Sequence, residues 1–141
     1  MSTIIDKNFK LIDSHCHLDF EELYNNIDEV IQNANNLGVR SIITIATKSS
    51  NFEKVKKISE KFENVWFSIG IQPHQASEDP YAQNKKYILE SLNHNKCIAI
   101  GETGLDYFYN YSTKKDQIDC FKMQISIAQE TQKPIIIHSR D

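Results

Sequence analysis

The sequence predicts a parallel α/β fold, a partial TIM-type (β/α)8 barrel made of its first five strands. Three observations predict it. Short apolar runs alternate with helix-period segments in the order βαβαβαβαβ, the pattern of a parallel sheet with right-handed crossovers. Runs such as residues 41–46 (SIITIA) are apolar on both faces, as strands covered by helices are. The third is positional: His15, His17, Glu102 and His138 fall at the ends of such runs, and strand ends converge on the functional face of a barrel.

Strand one is expected over residues 10–15. Helix one follows over 21–36, with Tyr24, Ile27, Val30, Ile31 and Ala34 on one face and Gly38 placed to end it. Strand two takes 39–46, and helix two takes 51–62 with Phe52, Val55, Ile58 and Phe62 as its stripe. Strand three takes 65–71, with Trp66 and Phe67 as core residues, and Pro73 and Pro80 bracket the loop after it. Helix three covers 84–93, strand four 97–101, and a long loop 102–112. Thr113, with Asp116 three residues on, resembles a capping box at the start of helix four, whose apolar face reads Ile118, Phe121, Ile125, Ala128. Pro134 then opens strand five.

Five strands and four helices fall short of an eight-stranded barrel, which takes roughly 250 residues. A complete five-stranded open sheet is the alternative. Such a sheet normally ends on a helix that covers its last strand, and none follows residues 135–137. An uncovered apolar edge is a hazard that natural domains avoid. The expectation is therefore a barrel truncated after strand five, with residues 1–141 as one domain.

Composition narrows the class. The chain has 141 residues, a net charge of -3 and 25% charged residues, which fits a globular protein and gives no basic footprint for nucleic acid. A nuclease stays open, because a bound cation supplies local positive charge. No run reaches the roughly 18–20 apolar residues of a membrane span, and residues 1–7 show no secretory signal. Cys16, Cys97 and Cys120 are odd in number and widely spaced, so free thiols in a cytoplasmic protein are expected.

Strand parity puts His15 and His17 on one side with Asp13, where a carboxylate could orient a ligand histidine. Taken singly, a His-x-His pair is more often a surface feature, Glu102 a solvated loop acid, His138 a core histidine and Arg140 a surface charge. Placed together at strand ends they read as a metal site, with Glu102 able to bridge two cations and Arg140 suited to a phosphate. Gln72 and His74 flank Pro73 near the same mouth, whereas His94 reads as a surface residue. The aromatic cluster at 107–111 (YFYNY) is either a loop packed over the mouth or a stacking surface for bases, and packing is the commoner outcome.

Four motifs in combination carry a family resemblance: residues 12–19 (IDSHCHLD), 70–74 (GIQPH), 100–107 (IGETGLDY) and 134–141 (PIIIHSRD). Together they resemble the TatD family of metal-dependent deoxyribonucleases, within the wider group of metal-dependent hydrolases. The resemblance implies two divalent metal ions (Mg, Mn or Zn), with His15 and His17 on one, His138 on the other, and Glu102 bridging both as the catalytic carboxylate. It places Asp106, Tyr107 and Arg140, with Gln72 and His74, close to the substrate. The implied reaction is hydrolysis of DNA phosphodiesters by metal-activated water. Gln72 stands where the family usually has histidine. The resemblance also implies three further strands, supplying another histidine and a catalytic aspartate. The expectations kept open are an active nuclease, a truncated remnant of low activity or a half-barrel completed by a separately encoded C-terminal half, and an amidase-type hydrolase of the wider group.

Overall fold

The computed structural model describes residues 10–141; the segment read for a secretory signal lies outside the described residues. Five strands, β1 (Leu11–Cys16), β2 (Val39–Ile45), β3 (Val65–Ile69), β4 (Cys97–Asp106) and β5 (Ile135–Arg140), form one sheet in sequence order. Every neighbouring pair is parallel. Helices α1 (Glu21–Tyr24), α2 (Ile27–Asn36), α3 (Phe52–Lys61), α4 (Lys85–Ser91) and α5 (Lys114–Thr131) supply the crossovers. The result is a half-barrel whose strand ends gather on one side.

Helices α2 and α3 bury the faces that the apolar periodicity marks. Ile27 and Ile31 of α2 pack with Ile42 of β2 and Ile58 of α3 in one core cluster. A second cluster joins Val55, Phe67, Ile69, Ile88, Ile100 and Ile127 across β3, β4 and their helices. Each of these six is at most 1% exposed. Lys96 adds a polar tie, its ammonium donating to the carbonyls of Ser59 (2.6 Å) and Phe62 (2.7 Å) at the C-terminal end of α3, where the helix leaves acceptors unpaired.

Four expectations need correction. The first helix is two, because Asn25 and Asn26 interrupt it (Asn26 sits at φ -124°, ψ 31°) and the count of helices rises from four to five. Asparagine side chains compete for backbone hydrogen bonds and disfavour helix interiors. Strand four does not end at Gly101. It runs to Asp106, paired with β5 through Thr103–Ile137, Gly104–His138 and Asp106–Arg140. Long-range ladder pairing outweighs the poor strand propensity of its glycines. Gly104 in turn permits that pairing: it sits at φ +142°, and a Cβ there would overlap the His138 carbonyl.

The third correction concerns α5. Its buried side chains are Gln117, Cys120, Gln124 and Ile127, while the expected apolar face (Ile118, Phe121, Ile125, Ala128) is only half-buried. The two glutamines face the sheet because they complete it. Gln124 accepts from the Ile71 N–H (3.0 Å) and donates to the Ile71 carbonyl (2.9 Å) and to Thr103 Oγ1 (2.7 Å). The expected cap of α5 is present, with Thr113 Oγ1 accepting from the Asp116 N–H at 3.1 Å. Lastly, His94 is half-buried, packed on Phe67 and 3.4 Å from Glu60, and Trp66 is half-buried where Phe67 is core.

Candidate metal centre

Glu102 sits at the middle of the strand-end cluster. Its residue is 6% exposed, and its backbone N–H donates to the Ala46 carbonyl at 3.0 Å, which ties β4 to the end of β2. Behind it, the Gly101 carbonyl accepts from Ser68 Oγ at 2.7 Å. The carboxylate is thereby fixed, and its two oxygens point in different directions. Oε2 lies 3.2 Å from His15 Nε2 and 3.6 Å from His17 Nε2. Oε1 lies 2.7 Å from His138 Nδ1.

His15 and His17 come from the end of β1 and the turn beyond it. His17 Nδ1 donates to the Ile45 carbonyl at 2.9 Å, so the proton of the neutral ring is on Nδ1. A carbonyl can only accept, so Nε2 presents a lone pair toward Glu102. Two acceptors facing each other need a cation or a proton between them. Phe20 stacks on the His17 ring (4.9 Å between centroids, 13° between planes) and holds it in place. Asp13, expected behind a ligand ring, accepts the His15 backbone N–H at 3.1 Å and so fixes the backbone of the motif.

His138 lies between two carboxylates, with Nδ1 toward Glu102 and Nε2 2.8 Å from Asp106 Oδ2. A neutral imidazole has one N–H. With Nε2–H donated to Asp106, the Nδ1 lone pair again faces an acceptor. His74, from the turn Pro73–Gln75, donates to the same Asp106 oxygen at 2.8 Å. Asp106 Oδ1 accepts the backbone N–H groups of Phe108 (3.2 Å) and Tyr109 (3.0 Å). Asp106 has no exposed surface. Burial by itself pushes its pKa up, but the Tyr109 N–H, His138 and His74 outweigh it and hold the carboxyl well below the usual range.

Two groups of potential metal donors lie among the described residues: His15 with His17 and Glu102, and His74 with Asp106 and His138, each with its ligand atoms within 4.8 Å of one another. The donor chemistry fits a divalent ion beside Glu102, because imidazole lone pairs and a carboxylate converge there without enough hydrogens to satisfy one another.

The remaining expected site residues lie around this centre. Gln72 is tied to Thr47 through its backbone N–H (2.9 Å) and lines a cleft of about 490 Å³ with Asp19, Lys48 and Asn51. Tyr107 is half-buried, with the Lys114 ammonium 4.6 Å from its ring, and borders a cleft of about 410 Å³. Arg140 is exposed, its guanidinium 5.5 Å from the Tyr109 ring. Asp19 was not singled out in the sequence. It is 4% exposed, with Oδ2 accepting from Asn51 (2.5 Å) and Oδ1 buried without a hydrogen-bond partner. Burial pushes its carboxyl pKa up. The signal was its place two residues after His17. Gln117 and Gln124 had no signal, since a buried amide breaks the apolar periodicity that finds helix faces.

A half-barrel of parallel strands with histidines and a shared carboxylate at the strand ends is the framework of a barrel metal-dependent hydrolase. A sequence model described as TatD related DNase matches residues 12–141, and the chain belongs to this family. It is 37% identical to an uncharacterized metal-dependent hydrolase of Buchnera aphidicola over 93% of its own length and 53% of that protein's. It is 32% identical to the 3'-5' ssDNA/RNA exonuclease TatD of Salmonella typhimurium, over 81% of this chain and 44% of the relative. The crystal structure of YjjV, a TatD homolog from Escherichia coli, superposes with a TM-score of 0.79 at 29% identity, covering 92% of this chain and 51% of that one. The chain spans about half the length of the relatives it matches. No helix among the described residues is long and apolar enough to cross a membrane.

Proposed function

We propose that the protein hydrolyses phosphodiester bonds of single-stranded nucleic acid with two divalent metal ions held by His15, His17, Glu102 and His138. The observation that supports this reading best is the split of the Glu102 carboxylate: Oε2 faces His15 and His17, and Oε1 faces His138. A carboxylate placed this way suits a bridge between two cations. In such pairs, the ions lower the pKa of bound water and stabilise the attacking and leaving oxygens of a displacement. The similarity to the 3'-5' ssDNA/RNA exonuclease of Salmonella adds the substrate class.

The residues of the chain divide the remaining work. His17 is held by Ile45 and His138 by Asp106, so both rings keep one nitrogen free and one anchored. Such anchoring fixes the tautomer and raises ligand basicity. Asp106 acts from beneath, through His138 and His74. Arg140, exposed at the end of β5, is suited to pair with a substrate phosphate. Tyr107 and Gln72 border the clefts on either side, where flanking nucleotides would lie.

Metal uptake tests the reading before turnover does. Equilibrium dialysis against Mn²⁺ or Zn²⁺ is expected to give two ions per chain for the wild type. His15→Ala is expected to remove one, and Glu102→Gln to weaken both. Added Mg²⁺ or Mn²⁺ is then expected to support cleavage of labelled single-stranded DNA that EDTA stops. A wild-type chain with no stoichiometric uptake, or uptake unchanged in Glu102→Gln, overturns the proposal.

A further inference from the structure

Three large aromatic side chains stand exposed within four residues: Phe108 at 63%, Tyr109 at 36% and Tyr111 at 62%. Folding gains little from side chains so exposed, and the segment that carries them is pinned rather than collapsed. Asp106 Oδ1 accepts the Phe108 and Tyr109 N–H groups, and the Tyr107 N–H donates to the Arg140 carbonyl at 2.9 Å. At the far end, Ser112 Oγ donates to the His74 carbonyl at 3.0 Å, and Gln117 Nε2 donates to the Ser112 carbonyl at 3.1 Å.

The rings are ordered toward the metal centre. Tyr109 and Tyr111 lie nearly parallel, with centroids 5.3 Å apart and 17° between planes. Both meet His74, at 5.6 Å and 5.1 Å, in edge-on contact. His74 in turn bonds Asp106, the anchor of His138. Cations alternate with the rings: Arg140 lies 5.5 Å from Tyr109, and Lys114 lies 4.6 Å from Tyr107. Aromatic faces interleaved with cations match a polymer that offers flat π-faces and phosphates in alternation. A neutral sugar would leave the cations without a partner.

We propose that Phe108, Tyr109 and Tyr111 form a stacking platform for the bases of a single-stranded nucleic acid, positioned so that the phosphate beside the stacked base reaches the Glu102 cluster. This rests on the nucleic-acid reading above and adds the surface that would hold the strand. Recognition of this kind is tolerant of sequence, because every base has a π-face.

The test is binding without metal. Fluorescence anisotropy in EDTA compares labelled hexathymidylate with an abasic hexamer carrying the same phosphates. The wild type is expected to prefer the thymidylate about tenfold or more. The double variant Phe108→Ala/Tyr111→Ala is expected to lose that preference and keep its affinity for the abasic strand, while Tyr111→Phe retains the preference. Mn²⁺ uptake by the double variant is expected to equal that of the wild type, which shows that fold and cluster are intact. Equal affinity of the wild type for both oligomers, or a preference that survives in the double variant, overturns the platform alone. Failure of the wild type to bind either oligomer in EDTA overturns the platform; failure that persists after Mn²⁺ is added back, with normal metal uptake, overturns the nucleic-acid substrate as well.

Discussion

Gln117 of α5 clasps the backbone of Asp106 at the end of β4: its side-chain oxygen accepts the Asp106 N–H at 2.8 Å, and its nitrogen donates to the Asp106 carbonyl at 2.9 Å. One buried amide thus replaces the two ladder bonds that the backbone of Asp106 would otherwise need. The residue behind two site histidines is held by a helix as well as by the sheet.

Gln117→Leu keeps the volume and removes these two bonds and a third, from Gln117 Nε2 to the Ser112 carbonyl, leaving one buried donor and two buried acceptors without this partner. The expected cost is about 1–3 kcal/mol for each group left unsatisfied. Urea unfolding of the two proteins checks it. A midpoint that does not move means that water or a shifted loop satisfies Asp106.

Asp106→Asn replaces a carboxylate with an amide while keeping one oxygen to accept the Phe108 and Tyr109 N–H groups. The Nε2–H of His138 then loses its anionic acceptor. Metal affinity is expected to fall about 10–100-fold, the usual effect of removing the group behind a histidine ligand. Titration with Mn²⁺ reads it directly. Affinity within twofold of the wild type removes Asp106 from any supporting role.

Asp116 is half-buried near the start of α5, where the hydroxyls of Ser77 and Thr113 donate to it at 2.8 Å each. Those bonds, Ser77 first, lower its pKa from the ordinary 3.8. A depressed carboxylate stabilises the fold fully above its unfolded pKa, and that contribution is lost as the pH falls through the lower folded value. Asp116→Asn is therefore expected to be less stable than the wild type at pH 6, with the gap closing below about pH 3.8. Urea midpoints at pH 6 and pH 3 measure it, and a gap that is constant with pH sinks it.

The sequence made most of the strand frame legible, and with it the cluster. Buried parallel strands are apolar on both faces, so runs such as 41–46 stand out, and polar donors at their ends stand out further. His15, His17, Glu102 and His138 were found in this way, and the structure brings their side chains together. The reach of β4 past Gly101 could not be read, because its residues 102–106 (ETGLD) carry turn-like glycines and an acid. Only pairing with β5, residues 135–140, makes them a strand.

By itself, the sequence determined the order of elements, the parallel sheet and the placement of histidines and a glutamate at strand ends, since local periodicity and propensity carry that information. The tertiary structure decided which nitrogen each histidine leaves free, how Glu102 divides its two oxygens, and that Asp106 and the glutamines of α5 lie buried. Most of those features arise from partners 20 to 90 residues apart in the chain, such as His15 with Glu102, Gln124 with Thr103 and His138 with Asp106, while Gln117 reaches Asp106 over 11. Hydrogen bonds over such separations exist only once the sheet has assembled, and no local pattern encodes them.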